Sequence, residues 1–386
     1  STAYILHAIL RQLGEKVALS TTAARLIGDQ EIPSDLTTPE ASELHELLFR
    51  MRQAQVSAAV IEVSAQALTR QRVAGVKFDV AGFTNLSHDH LDDYRDMPTY
   101  LAAKALLFTE QYSRGAAVSL DTEYGKQLAT QISIPFETVS SQDTVASAES
   151  SGWTYRSLDV ELQNRVPLQK FQLASPSGDV ISSSITAIGD HMVSNVALAI
   201  AMLVQSGVEL AAIRDALKSG IKVSLPGRLE QVNLHRGPLV FLDFGHSPDA
   251  FEKSLTALRK ITSGKLIMVF GASGDRDHTK RPAMGRITAT LADVIVVTDH
   301  HSRSENPAEI RSELLEHARA AGSNAEILEV SPPEAAIRAA IGLAGASDTV
   351  LWAGPGHLDY REVAGVKQKL MARDEIAAAL KQSGWS

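Results

Sequence analysis

The sequence predicts an α/β fold made of two doubly wound, mainly parallel-sheet domains, with an antiparallel β appendage on the first. Two short β-branched apolar runs closed by polar residues, Val60–Val63 and Val80–Thr84, are typical of buried parallel strands. After Leu239, strand and helix patterns alternate to the end of the chain, which indicates a second parallel sheet. The Pro-Gly pair within Val223–Arg228 separates the two series, so we place the first domain at residues 1–224 and the second at residues 225–386.

In the first domain, apolar residues at helical spacing open the chain, and strand and helix patterns follow in turn. The predicted elements are the helix Thr2–Leu13, the strand Val17–Ser20, the loop Asp35–Glu40, the helix Ala41–Gln55, the helical stretch Leu101–Phe108, the strand Ser113–Leu120, the loop Ser140–Gly152 and the helix Val196–Ser206. Between Trp153 and Ile188, apolar and polar residues alternate. This alternation predicts the antiparallel appendage.

In the second domain, short apolar runs alternate with longer amphipathic segments. The predicted strands are Leu239–Phe244, Leu266–Phe270, Val294–Thr298, Ala325–Val330 and Thr349–Trp352, and the predicted helices are Arg281–Leu291, Pro307–Ala321, Pro333–Ala344 and Glu375–Gln382. This succession is that of a doubly wound sheet.

The composition excludes several classes of protein. The chain has 386 residues, of which 44% are hydrophobic and 21% charged, and its formal net charge is −8. The charge argues against a nucleic-acid surface, and the lack of Cys excludes disulfides, thiolate metal sites and a Cys nucleophile. No apolar run approaches the roughly 20 residues of a membrane span, and no signal peptide opens the chain. We therefore expect a cytoplasmic protein that binds no nucleic acid and does not insert into a membrane.

Polar residues follow the predicted strands of the first domain, at the edge where open α/β sheets bind ligands. Glu62 lies at the end of one strand, Asn85 and His90 follow the other, and Lys104 lies in a helical stretch. Each of these residues alone is more often a cap, a core residue or a solvated charge. In combination, the segments EVS, TNLSHDHLD and YLAAKALLF resemble, in this order, the central ATPase domain of the Mur ligases. The resemblance covers nearly the whole chain.

In that family the counterparts of Glu62, His90 and Lys104 hold a magnesium ion, and the lysine carries a carbamate. An ammonium would repel the cation, whereas a carbamate supplies an anionic oxygen ligand. The resemblance therefore implies a catalytic Mg²⁺ site with carbamylated Lys104. In the family a phosphate-binding GTxGKT loop precedes the first helix and follows a uridine-binding domain. By this resemblance Ser1 would directly follow that loop, so we expect the chain to be truncated, lacking the loop and the N-terminal domain.

The resemblance also implies a binding site for a nucleotide-linked peptide. Thr37 and Thr38 lie in a TTP segment that contacts this substrate in the subgroup that adds the third amino acid of the peptidoglycan peptide. Ser64, Arg70 and Arg72 fall where that subgroup binds the peptide carboxylates, for which guanidinium groups are suited. The subgroup usually has Ser-Ser-His where this chain has Ser-Ala-Gln, and this departure concerns a peripheral substrate contact.

For ATP, the resemblance implies contacts from both domains. Asn85 belongs to the TNLS segment, and Asn195 matches the second Asn of the family motif GxFNxxN, although from the residues alone Asn195 could equally cap a helix. Arg228 lies in LPGRLE, similar to VPGRxE, whose Arg approaches the nucleotide phosphates. Asp243 and His246 lie in DFGHSPD, similar to DYAHxPD, whose Asp holds the ribose.

The incoming amino acid has its own motif. The segment GASGDRDHTKRP resembles GxxGDRDxxKRP of the subgroup that adds a diamino acid, where the Arg, here Arg276, binds the α-carboxylate. Enzymes that add meso-diaminopimelate read DDNPR and GKGHE, whereas this chain reads DHHSR and GPGHL. Arg303 and Gly354 are kept, but Leu358 replaces the Glu that would pair with the distal ammonium.

Burying that ammonium unpaired would cost on the order of 1–3 kcal/mol. We therefore predict that L-lysine, L-ornithine or another amino acid with a single carboxylate is preferred over meso-diaminopimelate. Asp359 or Glu362 is an alternative partner for the ammonium. His300 and His301 are expected to form a partly pH-dependent rim of the pocket.

The reaction implied by the resemblance is an ATP-dependent ligation. ATP phosphorylates the γ-carboxylate of D-glutamate in UDP-N-acetylmuramoyl-L-alanyl-D-glutamate, and the amine of a free amino acid displaces phosphate from the acyl phosphate. We expect a monomer with these two substrates as its partners. A folylpolyglutamate or cyanophycin-type ligase is an alternative, against which the GDRD and TTP segments argue. A catalytically impaired scaffold protein is another, against which the three retained metal-ligand positions argue.

Overall fold

The computed structural model describes residues 1–33, 36–86, 93–142, 151–233 and 235–385, and the chain divides into two compact units. The first unit comprises residues 1–159, 169–186 and 190–223. The second comprises residues 160–168, 187–189 and 224–386. Within the described residues, every helix is too short or too polar to span a bilayer.

A four-stranded sheet lies in the first unit. Its strands are β1 (Val17–Ser20), β2 (Arg25–Ile27), β3 (Gln30–Ile32) and β4 (Ala58–Ile61). The order is β3-β2-β1-β4, with β1 and β4 parallel and the other pairs antiparallel. The sequence predicted that the strand near Val60 is buried. This prediction is wrong, because β4 lies at the edge of the sheet and each of its residues is at least partly exposed.

A six-stranded sheet contains the strand that leads to Asn85. Its strands are β5 (Phe78–Phe83), β6 (Ser113–Ser119), β7 (Phe136–Ser141), β8 (Trp153–Gln163), β9 (Val166–Ala174) and β10 (Val180–Ile185). The order is β10-β9-β8-β7-β6-β5, with parallel pairing from β5 to β8 and antiparallel pairing between β9 and β10. The predicted appendage is thus confirmed, and it continues the parallel sheet because β8 pairs in parallel with β7.

One helix of the first unit lies against both another helix and the six-stranded sheet. The helices of this unit are α1 (Thr2–Gln12), α2 (Ala41–Gln53), α3 (Ala65–Thr69), α4 (Met97–Ala105), α5 (Glu123–Ala129), α6 (Asp190–Gln205) and α7 (Leu210–Ala216). α6 packs against α1 and against β5, β6 and β7. A Cβ at Gly82 of β5 would lie only 2.5 Å from Sδ of Met202, so the glycine lets α6 approach the sheet closely.

The N-terminal end of α6 differs from the prediction. The helix begins at Asp190 rather than at Val196. The preceding residue, Gly189, has a φ of 109° that only glycine adopts readily, so the helix starts after it. Asp190 places a negative charge in the first turn, where the helix dipole favours it. Asn195 therefore lies inside the helix, and the reading of Asn195 as its N-terminal cap is wrong.

The second unit contains a doubly wound sheet and a separate hairpin. Its strands are β11 (Glu230–Gln231), β12 (Leu239–Asp243), β13 (Leu266–Phe270), β14 (Val294–Val297), β15 (Glu326–Glu329), β16 (Thr349–Ala353), β17 (Tyr360–Val363) and β18 (Val366–Lys369). Its helices are α8 (Pro248–Arg259), α9 (Arg281–Leu291), α10 (Pro307–Ala320), α11 (Pro333–Leu343) and α12 (Ala372–Gln382). The sheet order is β11-β12-β16-β13-β14-β15, parallel except for β11.

Both faces of this sheet are buried, as the apolar strand sequences predicted. Phe241 and Met268 pack in one core with residues of α8, α9 and α10, whereas Val240 and Ile267 pack in the other with residues of α11 and α12. β16 lies between β12 and β13, and the loop after β16 diverges from the loops after its two neighbours. Such a point forms a ligand-binding crevice in open α/β sheets. The predicted second doubly wound sheet is confirmed.

The sequence analysis did not predict α8 or the hairpin of β17 and β18. Each residue of β17 is partly exposed and each residue of β18 is exposed, so the hairpin lacks the apolar alternation by which strands are recognised. β17 and β18 form a two-stranded sheet, and Val363 of β17 also forms an isolated bridge with Arg303.

Phe251 of α8 is a test of the packing on one face of the second sheet. Its side chain is 1% exposed, and its ring meets the Phe270 ring edge to face, with 5.4 Å between centroids. We expect Phe251→Ala to lower the free energy of unfolding by about 3–5 kcal/mol, because the ring leaves a cavity. Leu343→Ala, at a site that is 48% exposed, is the control and should change it by less than about 1 kcal/mol. Equal effects in urea unfolding would contradict this packing.

Candidate functional site

Glu62 directly follows β4 and is held beside the first turn of α1. Its Oε2 accepts hydrogen bonds from the backbone N–H of Thr22 at 3.2 Å and from the Thr22 hydroxyl at 3.3 Å. Its Oε1 lies 4.0 Å from the backbone nitrogen of Ser1, and 32% of its side chain is exposed. A helix N-terminus favours negative charge, so this place keeps a solvent-accessible carboxylate at the carboxyl end of the parallel pair β1 and β4.

Thr37 and Thr38 are connected to Glu62 by hydrogen bonds. The hydroxyls of Thr22 and Thr37 lie 2.8 Å apart. Thr38 is fully buried, and its hydroxyl donates to the Glu62 carbonyl at 2.9 Å and accepts from the Ser64 N–H at 3.0 Å. The structure therefore brings Thr37, Thr38 and Ser64 together around Glu62.

The two arginines predicted to bind substrate have different surroundings. Arg72 is 7% exposed, pairs with Glu40 at 2.6 Å and donates to the Thr38 carbonyl at 3.3 Å. Arg70 is exposed at the C-terminal end of α3, whereas Ser64 caps that helix by accepting from the Ala67 N–H at 3.1 Å. Arg72 is thus engaged in holding the threonine loop, and Arg70 presents its guanidinium to solvent.

Asn195 lies at the same end of α1 as Glu62. Its Oδ1 accepts a hydrogen bond from the Thr2 hydroxyl at 2.9 Å. Because Thr2 is the first residue of α1, the amide of Asn195 and the carboxylate of Glu62 border one helix N-terminus. Backbone N–H groups at such a terminus are suited to phosphate binding.

Lys104 lies in the last turn of α4 and is partly buried. Burial lowers the pKa of its ammonium, and its Nζ lies 5.0 Å from the centroid of the Tyr100 ring. In the described ranges no carboxylate forms an ion pair with Lys104. A larger fraction of neutral amine results, and the neutral amine is the form that can add carbon dioxide.

Two further predicted site residues, Asn85 as a nucleotide contact and His90 as a metal ligand, follow β5 in the chain. Asn85 is exposed, just beyond the end of β5, and His90 lies outside the described residues. Among the residues that are described, no group of three or more His, Cys, Asp or Glu side chains could hold a metal ion. The donor chemistry of Glu62 fits Mg²⁺, which prefers anionic oxygen, whereas Lys104 fits only as a carbamate.

Asp243 is the last residue of β12, and its side chain accepts hydrogen bonds from two turns of the second unit. It is 6% exposed, its Oδ2 accepts from the Leu229 N–H at 2.7 Å, and its Oδ1 accepts from the Gly245 N–H. Burial raises the pKa of this carboxyl group. Its carbonyl accepts from the Gly354 N–H at 2.9 Å, so Asp243 also ties the loop after β16 to β12.

Arg228 and His246 meet at the Phe244 ring. The Arg228 guanidinium lies 5.0 Å from the ring centroid, and the His246 ring lies 5.1 Å from it. Gly227 precedes Arg228 and has a φ of 62°, and a Cβ there would lie 2.4 Å from the backbone nitrogen of His357, so the glycine lets the loop after β16 come close. The structure thus assembles Arg228, Asp243 and His246 at the carboxyl edge of β12, as expected for residues of one site.

The loops after β13 and β14 are joined by hydrogen bonds. The Asp275 carboxylate accepts from the N–H and the hydroxyl of Ser304 at 3.0 and 2.6 Å, and the Gly274 N–H donates to the His301 carbonyl at 2.8 Å. Arg276 follows Asp275 and is exposed. The motif that carries Arg276 is therefore fixed against the segment that carries Arg303.

Arg303, which is predicted to contact the incoming amino acid, lies in the loop after β14. Its Nε lies 3.4 Å from Oε2 of Glu362. A Cβ on Gly354 would lie 3.2 Å from Nδ1 of His300, so the loop after β16 comes close to the loop after β14. Leu358 is partly exposed and lies in a turn, where its backbone N–H donates to the Pro355 carbonyl at 3.1 Å.

The expectation that His300 and His301 form a pH-dependent rim is wrong. The two side chains are only 8% and 7% exposed. Burial lowers the pKa of His301 to about 4 and places that of His300 well below its usual value. His301 Nδ1 accepts a hydrogen bond from the Glu362 N–H at 2.9 Å, which requires that nitrogen to be unprotonated. The pair is therefore neutral near pH 7.

Two contributors, Thr22 and Phe244, were not singled out from the sequence, and Glu362 was named there only as an alternative partner for a distal ammonium. Thr22 donates twice to Glu62, Phe244 carries Arg228 on its ring, and Glu362 pairs with Arg303. The Thr-Thr pair after a predicted strand could have indicated Thr22. No sequence signal indicates the Arg303–Glu362 pair, because it depends on where the hairpin folds back.

The sequence matches two family models. Residues 1–203 match the Mur ligase middle domain, and residues 227–356 match the Mur ligase glutamate ligase domain. A UDP-N-acetylmuramyl-tripeptide synthetase of Leifsonia xyli subsp. xyli is 51% identical over 387 residues, covering 100% of this chain and 74% of the relative. A UDP-N-acetylmuramoyl-L-alanyl-D-glutamate–2,6-diaminopimelate ligase of Streptomyces avermitilis is 37% identical, covering 99% and 74%.

Solved structures have the same fold. A UDP-N-acetylmuramoyl-L-alanyl-D-glutamate–2,6-diaminopimelate ligase superposes with a TM-score of 0.67 at 26% identity, covering 100% of this chain and 77% of the other. A bifunctional folylpolyglutamate synthase/dihydrofolate synthase that holds Mn, AMPPNP and L-glutamate superposes with a TM-score of 0.63 at 22% identity, covering 92% and 83%. The second likeness concerns the fold alone.

The buried histidines predict a loss of stability in acid. The folded pKa of His301, about 4, lies below the unfolded value of about 6.5, so the unfolded chain binds more protons between these values. The free energy of unfolding should therefore fall as the pH drops through this window, by up to about 1.4 kcal/mol per pH unit for each such histidine. His301→Asn keeps an acceptor for the Glu362 N–H and cannot titrate, so its slope should be smaller.

His235→Gln, at an exposed position, is the matched control and should keep the wild-type slope. The measurement is urea unfolding at a series of pH values between 4 and 7. A His301→Asn variant with an unchanged slope would contradict the neutral buried state.

Proposed function

This chain belongs to the Mur ligase family and is an ATP-dependent ligase of peptidoglycan synthesis, and we propose that it adds the third amino acid to UDP-N-acetylmuramoyl-L-alanyl-D-glutamate as a monomer. The supporting observation is the hydrogen-bonded group at the N-terminal end of α1, in which Thr22 and Thr38 hold Glu62. Whole-chain relatives named for this chemistry support the same assignment. A folylpolyglutamate-type ligase shares only the fold with this chain at 22% identity.

The reaction couples phosphoryl transfer to amide formation. An oxygen of the substrate γ-carboxylate attacks the γ-phosphorus of ATP, the bond to ADP breaks, and an acyl phosphate forms. The neutral amine of the amino acid then attacks the carbonyl carbon, the C–O bond to phosphate breaks, and the nitrogen loses a proton. The protein positions the two substrates and stabilises the developing charge.

Each group of residues has a proposed task in this sequence. Thr37, Thr38 and Ser64 hold the peptide near Glu62, and exposed Arg70 receives a peptide carboxylate. Arg72 positions the threonine loop through its pair with Glu40.

The nucleotide residues and the metal ligands complete the assignment. Asn85, Asn195, Arg228, Asp243 and His246 are the proposed ATP contacts. Glu62, His90 and carbamylated Lys104 would hold Mg²⁺, which reduces the repulsion between the carboxylate and the ATP phosphates when it is bound.

The amino-acid pocket favours a side chain without a second carboxylate. Arg276 is the proposed partner of the α-carboxylate, while Arg303 already has a carboxylate partner in Glu362. Leu358 offers no charge at the position that would hold a distal zwitterion. The neutral state of His300 and His301 adds no cation for a second carboxylate. We therefore propose L-lysine, L-ornithine or a similar amino acid as the substrate.

Carbamylation of Lys104 can be tested with and without turnover. We expect Lys104→Ala and Lys104→Arg to abolish UDP-dipeptide-dependent phosphate release by the intact enzyme, because neither residue can supply a carbamate oxygen. A short-chain carboxylate should partly restore Lys104→Ala and leave Lys104→Arg inactive. In carbon-13 bicarbonate, the wild-type protein should show a carbamate resonance that both variants lack. Full activity of Lys104→Arg would refute the proposal.

The added amino acid can be identified by comparing kcat/KM for different amino acids. Phosphate release is measured with the UDP-dipeptide and each amino acid in turn. We expect kcat/KM for L-lysine or L-ornithine to exceed that for meso-diaminopimelate by about tenfold or more, since a second carboxylate would lack a partner beside the Arg303–Glu362 pair, and leaving a charged group unpaired costs about 1–3 kcal/mol. A higher kcat/KM for meso-diaminopimelate would overturn the assignment, and L-alanine serves as the control for an amino acid without a side-chain charge.

A further inference from the structure

The pairing of the hairpin with the loop after β14 suggests what selects the incoming amino acid. We propose that Glu362 is a specificity-determining residue, which accepts the side-chain ammonium of the substrate and rejects a second carboxylate. This inference rests on the proposed function, because it places the amino acid beside Arg303.

Glu362 and Arg303 form an accessible ion pair. Oε2 of Glu362 lies 3.4 Å from Nε of Arg303, with 33% and 23% of the respective side chains exposed. The other carboxylate oxygen, Oε1, accepts no hydrogen bond within the ranges that the structure describes. The pair is therefore open on one side, and a substrate cation can approach the free oxygen.

The backbone holds this pair in register. The Arg303 N–H donates to the Glu362 carbonyl at 3.1 Å, and the Ala364 N–H donates to the Arg303 carbonyl at 2.7 Å. The Glu362 N–H donates to Nδ1 of His301 at 2.9 Å. Arg303 has a φ of 49°, a left-handed conformation that a residue other than glycine keeps only where its surroundings impose it. The carboxylate therefore cannot swing away with the hairpin without breaking three hydrogen bonds.

The charges around the pair explain the selection. Arg303 carries one positive charge, and Glu362 already balances it. A second substrate carboxylate would have to displace Glu362 from Arg303 and remain beside it, and two carboxylates at such a distance repel each other. A substrate ammonium would instead share the carboxylate with Arg303, which restores the counter-charge that Leu358 does not provide.

The decisive variant is Glu362→Gln, which removes the charge and keeps the shape. We expect kcat/KM for L-lysine and L-ornithine to fall about five- to tenfold through a higher amino-acid KM, and kcat/KM for meso-diaminopimelate to rise. The KM for ATP should stay unchanged. Glu362→Asp should retain a partial preference for the single-carboxylate amino acids, which a merely structural role of the hairpin would not produce.

The control is Glu334→Gln, which removes a carboxylate that lies 3.8 Å from another arginine of the hairpin, Arg361. It should leave the ratio of the two kcat/KM values unchanged. If Glu362→Gln releases phosphate with the wild-type ratio, the inference is refuted while the proposed function stands. If the wild-type enzyme releases no phosphate with the UDP-dipeptide and any amino acid, the proposed function fails first.

Discussion

Burial of the second parallel sheet on both faces is the constraint on which the rest of its unit depends. Residues that alternate along one strand, Phe241 and Val240, belong to two separate cores, so its strand interiors have no room for polar side chains. Charged and hydrogen-bonding groups can gather only where the strands end. Arg303 follows β14, and Asp243 is the last residue of β12. In the first unit, Glu62 likewise follows a parallel strand.

At these strand ends, several charged groups that the family resemblance assigns to substrates already have partners within the protein. Arg72 holds Glu40 and the Thr38 carbonyl, and the Asp243 carboxylate accepts two backbone N–H groups. A buried charge needs such partners, because removing it from water unpaired costs several kcal/mol. Each loop is therefore pre-organised, and Arg70 and Glu62 keep their charged ends accessible.

In the proposed amino-acid pocket, neutral side chains and paired charges would together set the preference. His301 is neutral because it is buried and because its Nδ1 accepts a backbone N–H. The positive charge of Arg303 is balanced by Glu362. Leu358 adds no charge and Arg276 is the proposed partner of the α-carboxylate, so a second carboxylate would have to compete with Glu362 for Arg303.

Sequence patterns were sufficient to predict the fold class, the alternation of β13, α9, β14 and α10, and motif positions such as Glu62 and Arg276, because apolar periodicity and local motifs depend on residues close together in the chain. The folded structure was needed to show that β4 is an edge strand, that α6 begins at Asp190, and that His301 is buried. The Arg303–Glu362 pair is likewise evident only in the folded structure. It joins two loops that are distant in sequence, and the exposed hairpin that carries Glu362 has no periodic signal, so the pairing follows from the folded backbone alone.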